Sequence, residues 1–449
     1  MALTGLQIYK LLPKTNCKEC GFPTCMAFAM KLAAKQAELS VCPYVSEEAK
    51  EALSAASAPP IRLIALASNG HRIEVGNETV LFRHDKTFYH EPGIFVRVRD
   101  DRPREEVENL ASQVNSYKVE RVGMTLHYNG LAVESVSASG QAFAECVKAV
   151  RSKADYPLIL MSKDPKVMEA GLAQTEGMIP LIYAADKDNW KEMAELAKKH
   201  KVPLAVYEPS GLEALADLAE NLRQAGVEDL VLDPDSRGMA DSLAALTRLR
   251  RLALKKNFRP LGFPIITFPG EGANSEAEEA ILAAQHIAKY GGFIVLDRFD
   301  PATAYPLLTL RLNIFTDPQK PIQVSPGLYD IREPGPEAPL LVTTNFSLTY
   351  FSVAGEVEGS GRPAWLLIAD SEGMSVLTAW AAGKFDAEKI AKSVKQFNVE
   401  EKINHRKIVI PGLVAAISGE LEEELPGWEI RVGPREAVDI PNYLKNVWN

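Results

Sequence analysis

The sequence contains no apolar run long enough to cross a membrane, and its first ten residues lack the charged-then-apolar order of a signal peptide. It also contains no basic block: 50 lysines and arginines stand against 59 aspartates and glutamates, a formal net charge of −9. Such a charge gives no attraction for nucleic acid or an anionic membrane, so we expect neither as a partner. These absences predict a cytoplasmic protein.

Cysteine is scarce, with five residues in 449, and four of the five lie within the first tenth of the chain. This distribution argues against a disulfide framework and fits a reducing compartment. The seven histidines show no metal-ligand spacing. The fifth cysteine, Cys146, lies in an apolar helical pattern and is expected to be a small buried hydrophobe.

The four clustered cysteines form the most specific motif in the chain. Cys17, Cys20 and Cys25 follow a Cys-x2-Cys-x4-Cys pattern, and after sixteen intervening residues Cys42 precedes a proline. Three close thiolates and a distant fourth before proline are typical of a [4Fe–4S] cluster, which indicates electron transfer. A structural zinc site is the alternative, although zinc motifs usually comprise two short Cys-x2-Cys pairs, and unligated thiols are a second alternative.

The residues around these cysteines predict a cluster held at the start of a helix. A second helix is expected to begin at Cys25, so that its positive amino-terminal end faces the anionic cluster. Its predicted apolar stripe is Met26, Met30, Ala33 and Ala37.

Breaks in the pattern predict four parts. Residues 1–58 form the cluster domain, and an Ala/Ser-rich stretch ending in Pro59 and Pro60 leads out of it. Residues 59–92 are a linker and a β-hairpin element, because Asn69-Gly70 is a strong hairpin signal. Residues 93–323 and 324–449 form two larger domains separated by a proline-rich connection.

The third part alternates short apolar strands with amphipathic helices. Eight βα units in succession predict a closed (β/α)8 TIM barrel; an open doubly wound sheet is the alternative, but it would not need eight even repeats. The predicted strands are IFVRV, VGMTLHY, PLILMS, IPLIYA, PLAVYE, DLVLD, FPIITF and FIVLD.

Catalytic groups of a barrel are expected at the carboxyl ends of its strands. Four acidic residues, Asp186, Glu208, Asp233 and Asp297, follow strands there, although acidic residues at these places also cap helices. A glycine-containing loop could bind phosphate, but its Glu271 would repel an anion. The barrel sequence therefore predicts no self-sufficient active site.

The last part predicts a compact α/β sheet of flavodoxin-like, or Rossmann-like, proportions. Ligands of such sheets bind beyond the carboxyl ends of the strands, and the small residues there leave room for something wide and flat. A flavin is one occupant to consider, but the loop after the first strand lacks the glycine that wraps flavin phosphate. An interaction domain without cofactor is the alternative.

The CKECGFPTC…CP motif and this order of parts resemble one known family. It is the large (gamma) subunit of the corrinoid iron–sulfur protein of the acetyl-CoA (Wood–Ljungdahl) pathway, related to the acetyl-CoA decarbonylase/synthase gamma subunit. The resemblance implies a multidomain α/β protein with a small [4Fe–4S] domain, a TIM barrel and a flavodoxin-like corrinoid-binding domain.

The resemblance further implies a methyl carrier within a methyltransferase system, not a stand-alone catalyst. Cobalt(I) of a cobamide would accept the methyl group of methyltetrahydrofolate from a separate methyltransferase. Methyl-cobalt(III) would then donate it to the nickel site of acetyl-CoA synthase. The cluster, fed by a low-potential electron donor, would re-reduce inactive cobalt(II), and a small barrel subunit would complete a heterodimer. A ferredoxin- or flavodoxin-type electron-transfer protein and a structural scaffold are the alternatives.

The sequence lacks the Asp-x-His-x-x-Gly string through which many cobalamin proteins place a histidine under cobalt. A base-off cobamide without this donor should be easier to reduce. The cofactor contacts that follow from the strand ends are Phe346, Ser347, Thr349, Asp370, Ser371, Glu372, Gly373, Gly412 and Pro434.

Overall fold

The computed structural model describes residues 5–33, 37, 41–46, 49, 59–121, 124–316 and 322–448. Contacts divide the chain into two compact units. The first unit comprises residues 1–82, 89–117 and 128–314, and the second comprises 83–88, 118–127 and 315–449. The four-part division made from the sequence stays a prediction.

The amino-terminal segment contains two short helices, α1 (Gly5–Leu11) and α2 (Cys25–Ala33). Helix α2 begins at Cys25, as predicted, but the predicted stripe is wrong at Met30, which is 60% exposed, whereas Ala33 and Ala37 do pack against the buried cluster. The buried face instead contains Cys25, Phe28 and Ala29. Positions i, i+3 and i+4 share a helix face, and the large Phe28 ring makes this face the more apolar one.

A β-hairpin follows, formed by β1 (Ile64–Ser68) and β2 (His71–Val75). Its turn is the predicted Asn69-Gly70 pair, and both residues have positive φ. Leu66 and Val75 belong to the same buried cluster as Phe95 and Phe293 of the barrel. The hairpin therefore closes the amino-terminal end of the barrel, where Arg62 N also donates to Gly262 O at 2.9 Å.

Eight parallel strands form the barrel, with order β10-β9-β8-β7-β6-β3-β12-β11. The two edge strands approach each other, since Leu232 N donates to Pro264 O at 2.8 Å. The ring is thus nearly closed, which confirms the predicted barrel over an open sheet. Its strands are β3 (Gly93–Arg99), β6 (Gly130–Glu134), β7 (Leu158–Met161), β8 (Leu181–Ala185), β9 (Leu204–Tyr207), β10 (Leu230–Asp233), β11 (Ile266–Thr267) and β12 (Phe293–Leu296).

One predicted barrel strand is wrong. The stretch VGMTLHY contributes β5 (Met124–His127), which pairs antiparallel with β4 (Lys118–Arg121) and lies in the second unit. The barrel strand at this place is β6, from the following GLAVE. Both stretches are short and rich in strand formers, so their pattern does not show which of them has barrel partners.

Amphipathic helices follow the barrel strands and cover the ring with their apolar faces. Within the described residues, no helix has both the length and the apolar character needed to span a membrane. The helices of this part are α3 (Arg104–Ser116), α4 (Gly140–Arg151), α5 (Pro165–Leu172), α6 (Trp190–His200), α7 (Leu212–Gln224), α8 (Met239–Lys255), α9 (Glu276–Ala288) and α10 (Pro301–Phe315).

The second unit is built on a five-stranded sheet of order β13-β15-β14-β16-β17. Only the edge strand β13 is antiparallel, and the four parallel strands have the order 2-1-3-4. In a doubly wound sheet, this order places a topological switch point beside the first strand, here β14. The strands are β13 (Gly327–Ile331), β14 (Leu340–Thr344), β15 (Ala364–Ala369), β16 (Lys407–Ile410) and β17 (Glu429–Val432).

Helices cover both faces of this sheet. Val357 and Leu444 join one buried cluster, whereas Ile390 and Leu421 join the cluster on the opposite face. Asp386 caps one of these helices, because its carboxylate accepts from Lys389 N at 2.9 Å. The helices are α11 (Ser347–Gly359) and α15 (Ile440–Asn446) on one face, and α12 (Val376–Ala381), α13 (Ala387–Gln396) and α14 (Ser418–Glu424) on the other.

Candidate functional site

Three of the four clustered cysteines are buried together. Cys20, Cys25 and Cys42 belong to one apolar cluster with side chains of α1 and α2, whereas Cys17 is exposed. Cys20 and Cys42, 22 positions apart in the chain, thus share one small core. The motif therefore brings distant thiols into one neighbourhood, as a shared ligand requires.

The backbone between the first cysteines is suited to surrounding an anionic group. Lys14, Asn16, Lys18 and Gly21 all have positive φ. Left-handed residues next to right-handed ones form concave arrays of N–H groups, which bind phosphates and iron–sulfur clusters. Asn16 also fixes Cys25, since its Oδ1 accepts from Cys25 N at 2.8 Å and its N lies 3.4 Å from Cys25 Sγ.

Tyr44 is affected by the charges of an exposed and a buried cysteine. Its hydroxyl donates to Glu19 Oε1 at 2.8 Å. This hydrogen bond and the Glu19 charge raise the pKa of Tyr44, and the thiolate charges of Cys17 and Cys42 add to the rise. Both Cys17 and Cys42 are therefore within electrostatic range of Tyr44.

Among the described residues, no three His, Cys, Asp or Glu side chains converge on a point where a single metal ion could bind. The donor set instead comprises the three buried thiols of Cys20, Cys25 and Cys42 and the exposed thiol of Cys17. An iron–sulfur cubane fits this donor set, because its own inorganic core separates the four cysteine sulfurs.

A second candidate site is a cleft of about 360 Å³ in the second unit. It lies at the carboxyl ends of the parallel strands, where doubly wound sheets bind their ligands. It is lined by Leu341, Val342, Thr343, Leu348, Thr349, Ser352, Val353, Ser375, Val376, Leu377, Val409, Ile410, Pro411, Leu413, Gly433, Pro434, Arg435, Glu436, Ala437 and Ile440.

Two loops meet at the floor of this cleft through a glycine. Gly412 N donates to Pro434 O at 2.9 Å, and Gly433 N donates to Ile410 O at 2.8 Å. A Cβ on Gly412 would lie 2.5 Å from Gly433 O, which is far inside van der Waals contact. Only glycine therefore permits this close approach.

The rim of the cleft is unusually apolar for a surface. Leu348, Leu377 and Leu413 are 68%, 47% and 38% exposed, and all three line the cleft. Apolar side chains grouped around a concavity are typical of ligand sites, whereas isolated exposed leucines are common. This rim favours a ligand with a broad apolar surface.

Thr343 supplies an unpaired polar group in the same cleft. The residue is 1% exposed, and within the described part of the chain its hydroxyl has no hydrogen-bond partner. A buried hydroxyl without a partner costs about 1–3 kcal/mol. A polar group of a bound ligand would remove this cost.

The structure places several of the sequence-predicted contacts at this cleft. Thr349 and Pro434 line it, and Gly412 shapes its floor. Ser347 is buried, and its hydroxyl donates to Ile322 O. Phe346 precedes the first turn of α11 and is not among the lining residues.

The predicted loop from Asp370 to Gly373 is organised by Asn345. The side-chain oxygen of Asn345 accepts from Ser371 N at 3.0 Å and from Gly373 N at 2.9 Å, and Asp370 accepts from Glu372 N at 3.0 Å. None of these four loop residues lines the cleft. Their contact with a corrinoid stays a prediction.

The predicted contacts leave out several informative residues of the cleft, although all but Leu377 lie in strand-end segments that the sequence places at the crevice. Thr343, Leu348, Leu377, Leu413 and Arg435 were not among the predicted contacts, although all line it. Leu348 and Leu413 each adjoin a predicted residue, and a leucine directly beyond a strand end is a usable signal. The unpaired Thr343 hydroxyl needs the structure, because sequence does not show partners.

The charged side chains at the barrel mouth form ion pairs and hydrogen bonds with one another. The Asp233 carboxylate is fully buried, accepts from Arg237 at 2.8 and 2.9 Å, and accepts from the Tyr183 hydroxyl at 2.8 Å. Glu271 bridges Arg237 and Arg97 at 2.5 and 2.6 Å. Burial lowers the pKa of Arg237, but the hydrogen bonds and charges of its acidic partners outweigh burial and raise it.

The other acidic residues of the mouth are also engaged. Asp297 lies 3.2 Å from Arg97 Nε. Asp186 accepts from Asp188 N at 3.0 Å, and Glu208 accepts from Ser210 N at 2.8 Å, so both organise turns. This mouth is held together by internal pairs.

Comparisons with known proteins cover both candidate sites. A family model for the CO dehydrogenase/acetyl-CoA synthase delta subunit matches residues 64–444. A second model, FeS, which describes an iron–sulfur cluster segment, matches residues 12–44. Among solved structures, a Xanthomonas albilineans dihydropteroate synthase aligns with 57% of this chain and 99% of its own, with a TM-score of 0.41 and 14% identity.

Two relatives are similar over their whole length. The corrinoid/iron-sulfur protein large subunit of Moorella thermoacetica is 45% identical over 99% of both chains. The acetyl-CoA decarbonylase/synthase complex subunit gamma of Methanothermobacter thermautotrophicus is 35% identical over 99% of both chains. This chain therefore belongs to the family of the CO dehydrogenase/acetyl-CoA synthase delta subunit, which here includes corrinoid/iron-sulfur protein large subunits and acetyl-CoA decarbonylase/synthase gamma subunits.

Proposed function

We propose that this chain is the large subunit of a corrinoid methyl carrier of the acetyl-CoA pathway. The observation that carries the proposal is the apolar-rimmed cleft at the carboxyl edge of the second sheet, with its unpaired Thr343 hydroxyl. Whole-length similarity to a corrinoid/iron-sulfur protein supports it.

The cleft would hold a cobamide. A corrin is a broad ring with an apolar face and amide side chains at its edge, so it suits leucines on a rim and a buried hydroxyl. The predicted contacts Thr349, Gly412 and Pro434 adjoin this space. We propose a base-off cofactor, because the lining residues in the described part of the chain include no histidine that could serve as a lower ligand.

The amino-terminal cysteines would hold a [4Fe–4S] cluster. Cys17, Cys20, Cys25 and Cys42 are its proposed ligands, and the left-handed loop supplies N–H groups toward their sulfurs. Hydrogen bonds to ligand sulfurs raise the potential of a cluster, and burial modifies it further. Its role would be to supply the electron that returns cobalt(II) to cobalt(I).

When bound, the cobamide supplies the cobalt(I) nucleophile that accepts a methyl group from methyltetrahydrofolate on a separate methyltransferase and passes it to the nickel site of acetyl-CoA synthase. This chain would contribute binding, orientation and reductive repair. A small barrel subunit would complete the heterodimer, because the related Moorella protein is named a large subunit. A low-potential donor would supply electrons.

A single surface leucine tests whether the cleft is the corrinoid site. Leu348→Asp places a charge where 68% of the leucine surface is exposed at the cleft. Covering a leucine contributes about 1.5–3 kcal/mol, so corrinoid affinity should fall at least about tenfold. Val447→Asp is the matched control, because Val447 is also exposed in the same unit but does not line the cleft.

Corrinoid binding is measured by anaerobic titration of the full chain, with its partner subunit if one co-purifies, followed through the corrinoid absorbance. Equal loss of affinity in both variants would contradict this position of the site. Binding of a flavin without any corrinoid would move the chain to the electron-transfer class.

A further inference from the structure

One cation lines the cleft in the part of the chain that the structure describes. It is Arg435, which follows the Gly433-Pro434 turn at the end of β17. It is exposed, and no described residue forms an ion pair or hydrogen bond with its side chain. Arg431 is different, because it is paired with Glu429 at 2.7 Å and its guanidinium lies 4.9 Å from the Trp448 ring centroid.

The backbone holds Arg435 at the edge of the cleft. The hydrogen bonds from Gly412 N to Pro434 O and from Gly433 N to Ile410 O fix the turn that precedes it. Its backbone N would lie 2.9 Å from a Cβ on Gly412, so the two loops are tightly packed there. The start of the side chain is therefore fixed, while the guanidinium is free to meet a ligand.

Two further features near this cation favour an anion. Helix α11 has thirteen residues, and its first turn, which contributes Leu348 and Thr349 to the cleft, has no side-chain cap. Ser347 N of this turn donates to Ile322 O at 3.2 Å, so the helix dipole and the remaining first-turn N–H groups supply the positive potential at the cleft. The unpaired, buried Thr343 hydroxyl is a further donor in the same space. Against these, Glu436 is the one carboxylate among the described lining residues.

We propose that Arg435 binds the phosphate of the cofactor's nucleotide loop and so selects complete cobamides over corrinoids without this phosphate. The inference rests on the proposed corrinoid function. A corrin ring alone would be satisfied by the leucine rim and needs no guanidinium. Planar guanidinium groups bind phosphate through paired N–H donors, and such charge-assisted bonds are among the stronger ones.

The test compares two corrinoids that differ only in this group, cobinamide and cobinamide phosphate. Equal amounts are offered anaerobically to the full chain, together with any co-purifying subunit. The ratio of the two corrinoids released on denaturation is then measured. The wild-type chain should retain the phosphorylated form about tenfold in preference, from the usual range for hydrogen bonds to charged groups.

Four variants define the role of the guanidinium. Arg435→Met should bring the ratio close to one, and Arg435→Lys should give an intermediate ratio. Glu436→Gln should increase the preference, because it removes a negative charge that opposes the phosphate. Arg362→Met is the control, since Arg362 is exposed in the same unit but does not line the cleft.

The outcomes separate this inference from the proposed function. A wild-type chain that binds both corrinoids without preference, or an Arg435→Met variant that keeps the wild-type ratio, would overturn the phosphate role and leave the corrinoid site intact. A chain that binds neither corrinoid would overturn both. If Arg435→Met does not fold, the opposite change expected for Glu436→Gln still decides the question.

Discussion

Removal of the unpaired Thr343 hydroxyl should stabilise the cofactor-free protein and weaken its binding of the cofactor. Thr343→Val keeps the shape of the side chain and removes the hydroxyl. In the empty protein this hydroxyl is buried without a partner, so its removal should stabilise the second unit by about 1 kcal/mol, the lower end of the range for such groups.

In the loaded protein the same substitution removes a hydrogen bond to the cofactor, at a cost of about 1 kcal/mol. The two effects act in the same direction on binding, because one favours the empty state and the other weakens the loaded state. Together they amount to about 2 kcal/mol, or roughly a 30-fold increase in Kd. The prediction is thus a more stable protein that binds its cofactor less well.

Stability is measured by denaturant unfolding of the cofactor-free chain, followed through tryptophan fluorescence. Four of the five tryptophans lie between residues 365 and 448, so this signal reports mainly on the second unit. Affinity is measured by corrinoid titration. Thr309→Val is the matched control, because its hydroxyl also has no partner in the described structure but belongs to the first unit and lies outside the cleft.

Two results would contradict this role of the Thr343 hydroxyl. If Thr343→Val destabilises the empty protein, its hydroxyl already has a partner there. If Thr343→Val leaves the Kd for the cofactor unchanged, as the control Thr309→Val should, the Thr343 hydroxyl does not contact the cofactor.

Two further predictions concern the first unit. Cys42→Ser should remove most of the iron and the associated visible absorbance, since a hydroxyl is a poor ligand for the cluster. Cys146→Ser is the control and should retain both, because burial raises the pKa of the Cys146 thiol to about 12 and keeps it protonated. Equal iron loss in the two variants would contradict the ligand assignment. Burial, with a smaller contribution from the charge of Arg237, lowers the pKa of His286 from 6.5 to about 4, so the unfolded chain takes up this proton at a higher pH than the folded one. The free energy of unfolding should therefore decrease by about 3 kcal/mol from this residue as the pH falls from 6.5 to 4. His286→Leu should flatten that part of a plot of unfolding free energy against pH. An unchanged slope would show that other groups govern the pH dependence.

Much of the fold could be predicted from local pattern. Seven of the eight predicted barrel strands are present, because short apolar runs followed by amphipathic helices have few other solutions. The error at Met124–His127 arose because the pattern of a strand does not identify its partner. The error at Met30 arose in a helix too short for its period to distinguish two competing faces.

The candidate sites differ in how far the sequence determines them. The four cysteines could be proposed as cluster ligands from their spacing, because iron–sulfur clusters restrict ligand spacing, and that assignment stays a prediction. The cleft depends on which strand ends meet, so Thr349, Gly412 and Pro434 could be placed near it. The Asp370–Gly373 loop has the same composition as a ligand loop, and only the hydrogen bonds of Asn345 reveal its internal organisation.

The central claim is that one chain carries both a cluster and a corrinoid. Anaerobic purification of the full chain with any co-purifying subunit, followed by iron and cobalt analysis and an absorbance spectrum, tests it most directly. We expect about four irons and one cobalt per chain, with corrinoid bands that shift on reduction. Iron without cobalt, together with a flavin spectrum, would contradict it.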